Sequence, residues 1–284
     1  MTTSIHTNTS AMIALQNLNR TNDQLASTQS RVNTGLKVQG ARDNAAVWAV
    51  AQGQRADRGS LEAVATSLKR ATSIADVSLA AGEQISDLLV ELKSKATAAS
   101  DESATLAMRT SYNDEFQALL KSVQSFAENA IFDGSNILDG SATAGINFLA
   151  SADGAETITL NRQNLTLTGL GLAANAAATP ATTAPDLLSK ANADNALSRI
   201  NAAISTSTAR LAELGAQSKQ IERHTTYVGK LSDALEAGIG NLVDADMAKE
   251  SARLTALQVQ QQLGVQALSI ANQSPQIILS LFKG

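Results

Sequence analysis

The sequence predicts a mostly α fold: an antiparallel rod of long coiled-coil helices with a small β-hairpin region in the middle. Three observations predict it. Two long segments place a residue for burial every third or fourth position. Proline, at three residues, and aromatics, at 3%, are too scarce to break helices or fill a thick globular core. Between the two segments lie three Asp-Gly pairs and short stretches of alternating apolar residues.

Residues 5–32 form the first predicted helix. Ile5, Met12, Leu15, Leu18, Leu25 and Val32 give it an apolar stripe, widened by Ala11 and Ala14. Thr34-Gly35 and Gly40 interrupt the pattern, so 33–43 is expected to be non-helical. Asp43 or Asn44 can cap the next helix by accepting a hydrogen bond from its free N–H groups. That helix carries the first seam: Leu61, Val64, Leu68, Ala71, Ala75, Ser78, Gly82, Ile85, Leu89, Leu92, Ala96, Ala99. Steps of three and four average 3.5 residues, which holds one face against a partner helix over many turns. The narrow middle of this seam, around Gly82, permits close approach of that partner.

Ser100-Asp101-Glu102 ends the pattern. A third helix follows, with Tyr112, Phe116, Leu119, Val123 and Phe126 as its expected buried stripe. Asp133-Gly134, Asp139-Gly140 and Asp153-Gly154 favour the positive φ angles of tight turns. Thr157–Leu160 and Leu165–Thr168 alternate with period two and are predicted strands. Residues 173–185 are an Ala/Thr-rich loop.

A fourth helix is predicted from Pro185-Asp186, with the seam Leu197, Ile200, Ile204, Ser207, Leu211, Leu214, Ser218, Ile221, Thr225, Val228, Ser232, Leu235. At 1.5 Å per residue a segment of this size is roughly 58 Å long. Gly238 and Gly240 are expected to end it. A last helix begins around Asp244-Ala245-Asp246, whose carboxylates suit a helix N-terminus. Its apolar residues spread over a broad face: Met247, Leu254, Leu257, Leu263, Leu268 and Ile270, then Ile277, Leu281 and Phe282. With a β-turn region in the middle, the chain is expected to return on itself, bringing both ends of the sequence to one end of the rod.

The chemistry of a catalyst is missing from this pattern. His6 and His224 are the two imidazoles and lack a second ligand at metal-binding spacing. The fragments Gly169-Leu170-Gly171 and Gly238-Ile239-Gly240 follow no strand and make poor phosphate loops. No enzyme, cofactor or metal site is predicted. The net charge of −4 and the lack of a Lys/Arg cluster argue against nucleic acid. The apolar cluster from Ile277 to Phe282 is too short for a bilayer span, so no membrane partner is expected. No secretory leader is visible in residues 1–30. Cysteine is absent, which excludes disulfides. Trp48 reads equally as a partner anchor or a core filler.

Several motifs together resemble one family. The start Ser4-Ile5-His6-Thr7-Asn8, the segment Arg31-Val32-Asn33-Thr34-Gly35-Leu36-Lys37-Val38, and Ala41-Arg42-Asp43-Asn44-Ala45-Ala46 look like the N-terminal region of bacterial flagellins. Phe132-Asp133-Gly134-Ser135-Asn136-Ile137-Leu138-Asp139-Gly140 matches the turn after that family's third helix. Asp244-Ala245-Asp246-Met247-Ala248-Lys249-Glu250 and Ala271-Asn272-Gln273-Ser274-Pro275-Gln276 are close to its C-terminal signature. The resemblance covers essentially the whole chain. The short middle, with Asn44, Trp48 and Gly238–Asn241, looks like the short flagellins of Caulobacter and related α-proteobacteria.

The resemblance implies a secreted, extracellular filament subunit for swimming motility, with itself as main partner, alone or mixed with paralogous flagellins. It implies that residues 1–33 and 245–284 pair as the filament core, with 34–43 and 239–244 as connecting spokes. Residues 44–238 would be a rod with a β-region at about 131–185 and no separate outer domain. Assembly would rest on Ile5, Met12, Leu15, Leu18, Leu25, Val32, Met247, Leu254, Leu257, Leu263, Leu268, Ile277, Leu281 and Phe282. Further implied partners are the flagellar type III export apparatus and its chaperone, the filament cap and the hook-associated proteins. Thr166, Thr168, Thr179, Thr182 and Thr183 are candidate O-glycosylation sites. Where flagellins detected by Toll-like receptor 5 carry an Arg, Glu91 falls here, so weak or no detection is expected. The rival readings are a hook–filament junction protein and a cytoplasmic coiled-coil binding module.

Overall fold

The computed structural model describes residues 7–174 and 183–281, with side chains of the last helix described to residue 273. The elements are α1 (Thr9–Thr34), α2 (Ala45–Ser100), α3 (Leu106–Asn129), β1 (Ile131–Phe132), β2 (Ser135–Asn136), β3 (Ile146–Leu149), β4 (Thr157–Leu160), α4 (Lys190–Val243) and α5 (Met247–Leu281). The chain divides into two compact units, residues 1–56 with 234–284, and residues 57–233.

In the second unit, every residue of the Leu61–Ala99 seam is buried. Ile74 joins it. The α4 seam behaves differently. Ala193, Ile200, Ser207, Leu214, Ile221 and Val228, spaced by seven, are buried. The alternating partners Ile204, Leu211, Ser218 and Thr225 are half-buried. Gly82 explains one close approach. A Cβ there would lie 2.3 Å from Leu211 Cδ2 and 3.3 Å from Leu165 Cδ1. Helix α3 returns antiparallel beside α2: the Arg109 guanidinium donates to the carbonyls of Ala99 and Asp101, and Lys95 pairs with Glu115. The buried stripe of α3 is Phe116, Leu120, Val123 and Ala127. Leu119 is half-buried and Phe126 is 41% exposed, one step off the expected positions, because the face turned inward runs 116-120-123-127.

Two small antiparallel sheets fill the middle. β1 pairs with β2 through Asp133-Gly134, at φ 48° and 73°. Positive φ at both central residues matches the strand twist of a two-residue hairpin. β3 pairs with β4 in the register Ile146↔Leu160 to Leu149↔Thr157. The predicted strand Leu165–Thr168 is instead a turn. Asn164 Oδ1 accepts from the Thr166 amide and hydroxyl, and Leu170 N donates to Thr166 O. A side-chain acceptor two residues upstream thus outcompetes a strand ladder.

α4 begins at Lys190, a few residues later than expected, after a turn held by Asp186 and Ser189. It runs through Gly238 and Gly240 to Val243, so the glycines do not end it. An interior glycine costs about 1 kcal/mol relative to alanine and is tolerated where packing is sufficient; Ile239 and Val243 are buried beside this pair.

Candidate assembly interface

In the first unit, local chemistry fixes where α1 and α5 start and stop. Asn8 caps α1 by accepting from Ala11 N, and Gly35, at φ 72°, ends it with its N–H on Arg31 O. Asp246 caps α5 by accepting from the amides of Ala248 and Lys249. Asn44 rather than Asp43 caps α2, accepting from Val47 N.

Between these ends sits a backbone clasp. Leu36 bridges Asp244, Lys37 N donates to Val243 O at 2.7 Å, and Ala245 N donates to Gly35 O at 2.8 Å. Val38, Ala51, Ile239 and Val243 form a small core beneath it, covered by Leu36, Val47, Trp48 and Leu242. Trp48 is therefore a core filler here.

From the clasp, α1 and α5 pair antiparallel. Arg31 Nη1 lies 3.4 Å from Glu250 Oε1. Gln261 donates to Asn22 Oδ1 at 2.8 Å, and Asn8 donates to Ala271 O at 2.7 Å. The covered positions of α1 are Ala11, Ala14, Leu18, Thr21, Leu25, Thr28 and Val32; those of α5 are Glu250, Leu254, Leu257, Gln261, Gly264, Leu268 and Ala271. Both series step by three and four, so this is a coiled-coil seam.

The expected assembly residues therefore split in two. Leu18, Leu25, Val32, Leu254, Leu257 and Leu268 turn inward onto the partner helix. Met12, Leu15, Met247 and Leu263 are exposed, together with Ile13, Val259 and Ile270. Ile5 and Phe282 lie outside the described residues, as do the side chains of Ile277 and Leu281. The pairing of the two segments was expected; reading only apolar residues missed Glu250, Gln261 and Gly264, the polar and glycine positions of the seam. Its heptad spacing was the available signal.

Two complementary findings decide the family. Residues 5–143 match the bacterial flagellin N-terminal helical region, and residues 197–282 match the bacterial flagellin C-terminal helical region. The chain belongs to the flagellin family. It is 49% identical over 280 residues to flagellin FljM of Caulobacter vibrioides, covering 99% of this chain and 98% of that protein. Flagellin FljJ of the same organism is 47% identical over 286 residues, covering all of both chains. A flagellin of Brucella melitensis is 38% identical over 291 residues, 99% of each. Among solved structures, Bacillus cereus flagellin is 21% identical with a TM-score of 0.48, covering 56% of this chain and 86% of that one.

This flagellin is a structural, non-enzymatic subunit of the extracellular filament of the bacterial flagellum. Among the described residues, no helix is long and apolar enough to cross a membrane. His224 serves structure, with Nε2 2.7 Å from Ala150 O at the end of β3. Of the candidate glycosylation sites, Thr166 is 6% exposed with its hydroxyl on Asn164, so it is closed to modification. Thr168 and Thr183 are exposed. Thr179 and Thr182 lie outside the described residues.

Proposed function

We propose that the α1–α5 pair, residues 1–33 with 245–284, is the polymerising core of this flagellin and completes its folding on assembly. The observation that supports it is the outward set Met12, Ile13, Leu15, Val259, Leu263 and Ile270, which the intramolecular seam leaves uncovered. A fully buried Leu or Ile gains roughly 1.5–3 kcal/mol, whereas ordering backbone costs about 1–2 kcal/mol per residue. The six large apolar side chains of the seam, set among Ala, Thr, Gln and Gly, cannot cover that cost for two helices alone. Burial of the outward set against neighbouring copies supplies the difference. Head-to-tail contacts with a non-closing rotation then give a helical filament. Residues 34–43 and 239–244 connect this core to 44–238, which carries the small sheets and, among the described residues, no separate outer domain.

The experiment is seeded growth. Purified chain elongates filament fragments into long filaments; a chain lacking residues 245–284 stays soluble and adds nothing. Elongation by the truncated chain refutes the assignment.

Coupled folding also suits delivery. A chain whose ends order only on assembly stays open for the flagellar type III export apparatus and its chaperone, and grows under the filament cap beyond the hook-associated proteins. Paralogous flagellins with the same outward set would co-assemble. Glu91 is exposed on α2. A carboxylate in place of a cation repels an acidic receptor surface and cannot make the cation's hydrogen bonds. Toll-like receptor 5 reporter cells should respond weakly or not at all, and potency equal to an enterobacterial flagellin overturns this reading. Intact mass of native filaments tests whether Thr168 or Thr183 carries sugar.

A further inference from the structure

α5 presents two apolar stripes of similar strength, and only one of them faces α1. The stripe in the seam is Glu250, Leu254, Leu257, Gln261, Gly264, Leu268 and Ala271. The other is Ala256, Val259, Leu263 and Ile270, whose three large members are 51%, 60% and 64% exposed. At about 100° per residue the two lie roughly 140° apart around the helix. Apolar burial alone would not choose between them, since each carries three large side chains of similar worth: Leu254, Leu257 and Leu268 in the seam, and Val259, Leu263 and Ile270 outside it.

What the seam has and the other stripe lacks is a row of polar partners. Glu250 is 8% exposed, and its Oε1 faces Arg31 across the helix pair. Gln261 meets Asn22, and Asn8 reaches Ala271 O. The clasp at Leu36–Val38 and Val243–Ala245 sets the axial position of the helices through backbone bonds. Turning α5 would carry the Glu250 carboxylate away from its cation, and a desolvated charge without its partner is costly.

We infer that Arg31 and Glu250, with Asn22 and Gln261, are specificity residues that choose which face of α5 pairs within the chain, reserving Val259, Leu263 and Ile270 for a second copy of this chain. This rests on the proposed assembly role of the α1–α5 pair. Buried polar pairs that fix register at some cost in stability are the best-attested use of such groups. Glu250 Oε2 is buried with no hydrogen-bond partner among the described residues, which is that cost.

The chain has no cysteine, so disulfide reporters can be introduced cleanly. A Cβ at Gly264 would lie 3.9 Å from Leu18 Cβ, within the range of a disulfide. Leu18→Cys with Gly264→Cys therefore reports the observed roll, and Leu18→Cys with Leu263→Cys reports the turned one. Each pair is placed in the parent chain, in Arg31→Glu, and in the charge swap Arg31→Glu/Glu250→Arg. Seeds are added and mild oxidation follows, with coupling read on gels. In the parent, coupling at 264 exceeds that at 263 by at least about tenfold, the ratio that 1.4 kcal/mol gives. Arg31→Glu brings the two to parity and slows elongation; the swap restores both. Unchanged tenfold preference in Arg31→Glu, or a swap that fails to restore it, overturns the inference. Elongation by the parent chain is read in the same experiment. Its absence would refute the assembly role, while the coupling ratio tests the polar pairs separately.

Discussion

Ser207→Ala should stabilise the second unit. Ser207 sits in the period-seven series of α4, fully buried, and its hydroxyl has no hydrogen-bond partner among the described residues. A buried hydroxyl left unpaired costs about 1–3 kcal/mol. Replacement by Ala removes that cost and adds a few tenths of a kcal/mol of helix propensity. The small void left by one oxygen returns part of the gain, so the net effect is about 1–2 kcal/mol of added stability. For a unit of this size that corresponds to roughly 2–8 °C in Tm. The internal control is Ser78, on the facing seam of α2 and equally buried, whose Oγ donates to Ile74 O at 2.8 Å. Ser78→Ala exchanges that bond for helix propensity and should change stability by less than about 0.5 kcal/mol. Thermal and urea unfolding of the unassembled chain, followed by circular dichroism, gives both values. A lower midpoint for Ser207→Ala than for the parent would refute the reasoning, because it would mean the hydroxyl is satisfied in solution.

Gly82→Ala should lose about 0–2 kcal/mol, the strain of a Cβ 2.3 Å from Leu211 Cδ2 set against the propensity gain, and adding Leu211→Ala should recover the strain part in a double-mutant cycle. Gly134→Val should cost about 1–2 kcal/mol, since Gly134 holds a φ of 73° in the β1–β2 turn, and urea midpoints will show it. Hydrogen bonds hold three carboxyls below their ordinary values: from Ser103 to Asp101, from Ser151 and Ala155 to Asp153, and from Asn161, Gln163 and Gln217 to Glu213. Depressed values mean that their stabilisation is complete above the ordinary 3.8 to 4.5 and is lost as pH falls through the lowered ones. Tm should therefore fall on acidification below that window, and less steeply in Glu213→Gln; an equal slope in both refutes the role of Glu213.

The helical frame was legible because it rests on periodicity. Every position of the Leu61–Ala99 seam is buried, and a 3.5-residue repeat needs no long-range information to be read. Turn chemistry was legible where it was strictly local, as at Asp133-Gly134. It failed at Leu165–Thr168, where period-two alternation is overridden by Asn164, a side-chain bond that hydrophobicity patterns do not register. It failed again at Gly238 and Gly240, because a helix tolerates glycine when its neighbours are packed, and the neighbours here come from Val38 and Ala51 far away in sequence. At the assembly face the apolar residues were visible, but their division between inner seam and outer stripe was not. That division depends on Arg31 meeting Glu250 across 219 positions of sequence.

The two units solve opposite problems with the same repeat. In the second, wide apolar side chains such as Phe116, Leu68, Leu89 and Leu92 are wholly buried, so burial within one chain suffices to hold it. In the first, the seam between α1 and α5 mixes Leu and Val with Ala, Thr, Gln, Gly and Glu, and a further set of large apolar groups points outward. Strengthening that seam with leucine would stabilise the single chain. Under the proposed assembly role it would also weaken the dependence of folding on neighbours. In that proposal a mixed inner seam, polar pairs that fix its face, and an outer stripe of equal apolar content leave order at the termini conditional on a second copy. Seam-strengthened variants such as Gln261→Leu should therefore gain monomer helicity and lose the difference in helicity between monomer and filament.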